Sequence, residues 1–317
     1  MKKILIRGPD TFGSFVLATP FYRELRRNLP SEYIVLCVKP LVYELAKNCP
    51  YVDKVILYEN NFFRNYKNLK NEKFDIVFLL SGNFESAFIS YIAGIKERIG
   101  YPHDKRGFLL TKKIIEKEKK HYIDYILFIL ESLGYSIKKR EPEIYINEVS
   151  TTKYDYIFED NLPVIGITYA SIANDARRWP LEYVKEISYK LIKEGYKVIL
   201  LGKNSLHNRI EINDKKFFDL VNLTSLSEFI DILKKLNVYV SVATGGIHIA
   251  SVLGIKVIGL YIPGEERWIP YGKNVSVITK PTKCAPCNQH KMKYCKNNIC
   301  LKMITPDEVL KMILRKY

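Results

Sequence analysis

Residues 244–272 read TGGIHIASVLGIKVIGLYIPGEERWIPYG. The stretch divides into a turn with two glycines, a helix carrying His248, an apolar strand, and a loop ending in Arg267 and Trp268. A glycine turn feeding a helix lets the backbone approach a ligand closely. It also aims free N–H groups and the positive dipole end at that ligand, which is how proteins hold phosphate. His248 falls in the first turn, within reach of the same anion. The segment thus predicts a site for the diphosphate of a nucleotide-linked substrate. A glycine turn between a strand and a packing helix, with His248 as a satisfied core residue, accounts for the same letters, and both readings stand at this point.

The strand–helix unit recurs along the chain. KKILIRG, YIVLCV, KVILY and FDIVFLL read as strands; FVLATPFYRELRRNL, LVYELAKN and FESAFISYIAGI have helical apolar spacing. HYIDYILFILESLGY, capped at Gly134, closes this series, and residues 140–160 break the alternation as a linker. PVIGITY opens a second series with helix PLEYVKEISYKLIKEGY, strand KVILLG, helix SLSEFIDILKKL and strand VYVSV. TPDEVLKMILRKY ends the chain as a helix capped by Thr305, with Pro306 at its first position. Such alternation implies an α/β fold with parallel sheets covered by helices on both faces. Two Rossmann-like domains are expected, 1–150 and 151–317, facing a central cleft, with ligands at the carboxyl ends of the strands.

With 317 residues, 47% apolar and 26% charged, the composition is that of an ordinary globular protein. No apolar run reaches the roughly 18–20 residues of a membrane span, and no signal peptide is seen, so a cytoplasmic protein is expected. The net charge is +16. One basic cluster runs from Lys280 to the end, facing only Asp307 and Glu308; another comprises Lys105, Arg106, Lys112, Lys113, Lys117, Lys119 and Lys120. Such surfaces suit anionic partners: phospholipid headgroups, acidic glycans or nucleic acid. For any single lysine, a solvated face is the simpler account.

Two further loops fall at strand ends. Residues 7–20, RGPDTFGSFVLATP, offer backbone N–H groups and the carboxylate of Asp10. Residues 169–180, YASIANDARRWP, offer Ser171, Asn174, Arg177 and Arg178 ahead of a helix, and arginine can neutralise phosphate with two parallel hydrogen bonds. Taken with NCPYVDKVI, RRWPLEYVKEISYKLIKEGYKVILLG, TGGIHIASVLGIKVIGLYIP, RWIPYG, the cysteine-rich tail and ITPDEVLKMI, these loops resemble glycosyltransferase family 9, the bacterial heptosyltransferases of lipopolysaccharide core assembly. The resemblance covers nearly the whole length.

It implies the two-domain GT-B architecture, with the acceptor on the first domain and the nucleotide-sugar donor on the second. It further implies inverting transfer without a catalytic metal, most simply of heptose from ADP-heptose to a lipopolysaccharide core or related lipid-anchored or phosphorylated glycan at the inner membrane face. By position, Arg177 matches the family's basic residue before Trp-Pro, and Thr244, Gly245, Gly246 and His248 match its donor-binding segment; Gly13, Ser14, Ser171 and Arg178 join that set. Two departures stand out. Gly13-Ser14 replaces the family's Gly-Asp, and Ala243-Thr244-Gly245 replaces its Asp-Thr-Gly. A serine cannot act as a base near neutral pH without a partner, so Asp10 is the candidate base, with turn chemistry as its plainer role. A UDP- or GDP-hexose donor, or a silent GT-B protein that only binds a glycan or nucleotide, remains open.

Cys284, Cys287, Cys295 and Cys300 have the spacing of a small thiolate site for structural zinc or iron, and metal is favoured over disulfides in a reducing compartment. His290 is a weaker ligand candidate. Free thiols are the alternative. Cys37 and Cys49 read as buried core thiols. A zinc knuckle amid lysines also raises nucleic-acid binding, which two complete α/β halves argue against.

Overall fold

The computed structural model describes residues 1–315 apart from 82, 117, 119, 147–151, 173 and 205–208; the side chains of Asn174, Asp175 and Gln289 are likewise outside the description. Lys117, Lys119 and Lys316 of the basic clusters, and the expected 150/151 boundary, therefore lie outside the described residues. The chain divides into two compact units, Met1–Asn147 and Glu148–Tyr317.

In the first unit the elements are β1 (Lys3–Arg7), α1 (Phe12–Asn28), β2 (Tyr33–Val38), α2 (Pro40–Ala46), β3 (Lys54–Leu57), α3 (Phe62–Glu72), β4 (Ile76–Leu79), α4 (Phe84–Ile92), β5 (Glu97–Gly100), β6 (Lys112–Lys113) and α5 (Tyr122–Glu131), with a 3₁₀ turn at Arg106–Leu109. The strands pair in parallel in the order β3-β2-β1-β4-β5-β6. IVFL of β4 and most of YIVLCV in β2 are buried, as apolar runs covered on both faces must be. The order runs outward in both directions from β1, so the crevice at its carboxyl end is the topological switch point.

The second unit repeats the plan with β7 (Val164–Thr168), β8 (Ala170–Ser171), β9 (Asn174–Arg178), α6 (Leu181–Lys193), β10 (Lys197–Leu200), β11 (Phe217–Asp219), α7 (Leu226–Lys234), β12 (Val238–Val242), α8 (Gly245–Val252), β13 (Lys256–Tyr261), β14 (Val275–Thr279), α9 (Gln289–Lys293), α10 (Ile299–Lys302) and α11 (Pro306–Leu314). Its parallel order is β11-β10-β7-β12-β13-β14, with the switch point at β7 and β12. Among the described residues no helix is long and apolar enough to cross a membrane.

Local signals act as expected at several ends. Gly134 follows α5 at φ +84°, its N–H donating to the Glu131 carbonyl at 2.9 Å. Thr305 Oγ1 accepts from the Glu308 N–H at 3.3 Å and caps α11. Helix α3, FFRNYKNLKNE, is capped by the Asn61 side chain and buries Asn65 and Leu69. One loop expectation needs correction. Within residues 169–180, Ala170–Ser171 and Asn174–Arg178 pair as the antiparallel hairpin β8–β9 rather than an open loop.

Candidate functional site

The switch point of the first sheet gathers charge. Asp10, in the loop from β1 to α1, receives Arg7 Nη2 at 2.5 Å, Lys39 Nζ at 3.4 Å and a longer contact from Ser81 Oγ at 3.5 Å. Those partners come from the ends of β1, β2 and β4. Arg7 is 2% exposed and its guanidinium lies 4.2 Å from the centroid of the Tyr58 ring. The Tyr58 hydroxyl donates to Glu85 at 2.7 Å, and burial followed by that carboxylate pushes the phenol's pKa well up. Asp10 itself keeps 27% of its side chain in water, so it is anchored and reachable. Gly13 is buried in the first turn of α1, and the half-buried Ser14 hydroxyl is 2.7 Å from that of Thr11. Its hydroxyl also donates to the Thr11 carbonyl at 3.1 Å. Ser14 is thus engaged within its own helical turn, and Asp10 is the carboxylate that the loop after β1 supplies.

In the second unit the hairpin follows β7 and the Thr244 turn follows β12, on adjacent strands at the switch. Ser171 ends β8 half-buried; Arg177 and Arg178 lie on β9. The hairpin is pinned from below: Trp179 is fully buried with its indole N–H donating to the Ile304 carbonyl at 2.8 Å. Asn298 Nδ2 donates to the carbonyls of Ala176 at 3.2 Å and Arg178 at 2.6 Å.

Thr244 and Gly245 stand half-buried at the start of α8, with Thr244 Oγ1 3.1 Å from Ser241 Oγ. Thr244 makes no side-chain cap, so it leaves the first-turn N–H groups of α8 to other acceptors. Gly246 has a different reason from the one its sequence suggested. A Cβ there would meet Phe229 Cζ at 2.7 Å and Tyr239 Oη at 3.0 Å, so close packing of α8 on α7 and β12 accounts for this glycine without a ligand. His248 is buried, 6% exposed, inside the helix packing.

One residue escaped the sequence reading. Arg177 donates to Glu265 Oε1 from Nε at 2.8 Å and also from Nη2. Glu265 is 3% exposed, and its Oε2 is buried without a hydrogen-bond partner. Burial pushes this carboxyl above its ordinary pKa and Arg177 pulls it part-way back. The loop carrying it is fixed at Gly264, φ +106°, where a Cβ would strike the Cys287 backbone oxygen at 2.4 Å. The Cys287 N–H donates to the Pro263 carbonyl at 2.7 Å. The sequence signal was slight: two acids beside a glycine in PGEERW and two arginines in RRWP.

Cys284, Cys287, Cys295 and Cys300 all line one cavity of about 20 Å³, together with Ala176, Ile262 and Pro263. That is room for one water-sized occupant. Burial first, then the neighbouring thiols, raises the pKa of Cys287, and burial raises that of Cys300 to about 11. Among the described residues no three His, Cys, Asp or Glu side chains are drawn together as a coordinating set. The thiolate chemistry and shared cavity suit zinc or iron; coordination requires the thiols to close in. Several lysines of this segment are engaged internally: Lys291 donates to the Cys284 and Pro286 carbonyls at 3.1 and 2.9 Å, and Lys280 pairs with Glu308 at 2.8 Å. Cys37 and Cys49 are buried in the first unit, which pushes both thiols up to about 12.

The sequence profile of glycosyltransferase family 9 (heptosyltransferase) matches residues 62–297. The chain belongs to this family. Lipopolysaccharide heptosyltransferase 2 of Escherichia coli (strain K12) is 24% identical over 295 residues, covering 84% of this chain and 85% of that protein. Two solved structures share the fold over 98% of this chain. One is a family 9 glycosyltransferase from Veillonella parvula (TM-score 0.83, 19% identity, 95% of that chain). The other is the E. coli ADP-heptose lipopolysaccharide heptosyltransferase II (TM-score 0.75, 23% identity, 97% of that chain). The GT-B fold class expected from the sequence is thereby established, and family 9 membership makes the chain a glycosyltransferase of the heptosyltransferase type.

Proposed function

We propose that this family 9 enzyme transfers heptose from ADP-heptose to a lipid-anchored or phosphorylated glycan, a lipopolysaccharide core or its relative, at the inner membrane face. The observation that carries the reading is Asp10, an ion-anchored yet reachable carboxylate at the switch point of the first sheet. Asp10 takes the proton of the acceptor hydroxyl, whose oxygen attacks the anomeric carbon from the face opposite the diphosphate. The C–O bond to ADP breaks with inversion, and the departing diphosphate is received by Arg177, Arg178 and the α8 amides at Thr244–Gly246, with no metal in the step. Loss of the usual acids at 14 and 243 supports one rival, a member that binds nucleotide without transfer.

Calorimetric titration with ADP, UDP and GDP, then turnover of ADP-heptose with a lipid A–core acceptor, tests this. Selective ADP binding with transfer is expected. Preference for another base would replace the donor, and ADP binding without turnover would favour the silent reading.

The same reading gives Cys284, Cys287, Cys295 and Cys300 a structural zinc or iron that fixes the loop of Pro263 to Glu265. Four thiolates leave no open position, so the ion supplies cross-linking and not chemistry. Protein prepared under reducing conditions should carry about one metal per chain. Cys284→Ser/Cys295→Ser should lose the metal and melt several degrees lower. Metal-free protein with an unchanged melting point, when both ions were supplied during expression, would discard the site.

A further inference from the structure

The carboxyl edge of the first sheet bears an aromatic surface that the transfer step does not use. Phe63 packs edge-on against Phe62 at 5.6 Å between ring centroids, and Phe62 stacks on Phe88 at 6.1 Å. Phe88 stacks on Phe84 at 5.9 Å, and Phe84 meets Phe108 at 6.2 Å. These rings come from the segments after β3, β4 and β5, the edge that also carries Asp10 after β1. Phe62 and Phe88 rest on the core, which holds the ladder rigid. Its outer rings stand in water: Phe63 is 78% exposed, Phe108 75% and Phe84 40%. Singly exposed aromatics are ordinary, but a contiguous ladder marks a contact surface.

The rim is basic. Lys67 sits four residues after Phe63 on α3, hence on the same helical face. Lys105 leads into the 3₁₀ turn carrying Phe108, and exposed Lys112 and Lys113 make edge strand β6. Among the described residues none of these lysines pairs with a carboxylate. Of the acids nearby, Glu59 holds Arg64 at 2.7 Å and Glu85 accepts from Tyr58 at 2.7 Å; Asp104 lies beside Lys105, and Glu116 and Glu118 follow β6 in the chain.

We propose that this face docks on an anionic lipid surface, with the outer rings entering the interface and the lysines meeting headgroup phosphates. A protein partner would have to place a carboxylate opposite each scattered lysine, whereas a bilayer presents phosphate at every lateral position. The proposal rests on the reading of a lipid-anchored acceptor for its purpose: it sets the Asp10 edge toward the membrane in which that acceptor is held.

The test is co-sedimentation of the full chain with phosphatidylcholine vesicles, with and without phosphatidylglycerol. Phe63→Ser/Phe108→Ser and Lys112→Glu/Lys113→Glu change exposed side chains and should melt like wild type. Wild type is expected to partition onto the anionic vesicles, each double variant about tenfold less, and neutral vesicles to capture little. ADP affinity should be the same in all three proteins. Equal partition of variants and wild type, or no partition of wild type, overturns the proposal. So does an oligonucleotide that competes the protein off vesicles while the phenylalanine variant still binds them normally. Vesicle binding without heptose transfer would sink the transfer reading alone, and transfer to a delipidated acceptor without vesicle binding would sink this one alone.

Discussion

Asp10→Asn should lower turnover by about 10²–10⁴-fold while leaving ADP affinity unchanged. Asparagine is the informative replacement because of what surrounds the carboxylate. Arg7 is buried and directs Nη2 at Asp10, so alanine would strand a guanidinium away from water as well as remove a base. The asparagine carbonyl still accepts from Arg7, so the substitution takes away basicity and little else. Steady-state kinetics on the folded variant gives the answer. If turnover survives, Asp10 is only the counterion of Arg7, and the proton goes elsewhere.

The features of the fold that were legible in the sequence are those fixed by local physics. Apolar runs such as IVFL and VYVSV must be buried on both faces, and parallel strands with intervening helices leave few alternatives. Caps at Thr305 and Gly134 are set by the residue itself. Less legible was whatever depended on partners distant in sequence. Helix α3 is mostly polar and is held by its Asn61 cap and a narrow buried stripe at Asn65 and Leu69. Hairpin β8–β9 depends on Asn298, some 120 residues away. At the site, the first-sheet carboxylate was legible because the loop offers one acid. Gly246 was ambiguous, since a glycine kept for packing against Phe229 and one kept for a ligand look alike as letters. Glu265 was missed because nothing in PGEERW says that one of its two acids is buried against an arginine 88 residues earlier.

That pair changes what Arg177→Ala should report. Removing the guanidinium takes a cation from the proposed diphosphate site and also leaves the Glu265 carboxylate buried without a partner. Breaking a buried pair from one side costs about 3–5 kcal/mol; Arg177 is 20% exposed, which argues for the lower end, about 3 kcal/mol. Urea unfolding should therefore show a large loss in Arg177→Ala, and Arg177→Ala/Glu265→Gln should recover most of it. ADP affinity should fall in both, because the second substitution returns stability but no cation. Recovery of ADP affinity in the double variant would mean that Arg177 serves only to neutralise Glu265. The pH dependence gives an independent check with a definite sign. The folded carboxyl of Glu265 is raised above 4.5, so between that pH and its folded value the native state holds more proton than the unfolded chain. Its contribution to stability is fully present below pH about 4.5 and is lost as pH rises through the folded value. Relative to Glu265→Gln, the wild type should accordingly lose stability as pH rises from about 4.5 through the folded value. A constant difference between the two proteins across that range would place Glu265 in water rather than under the loop that Gly264 and Cys287 hold down.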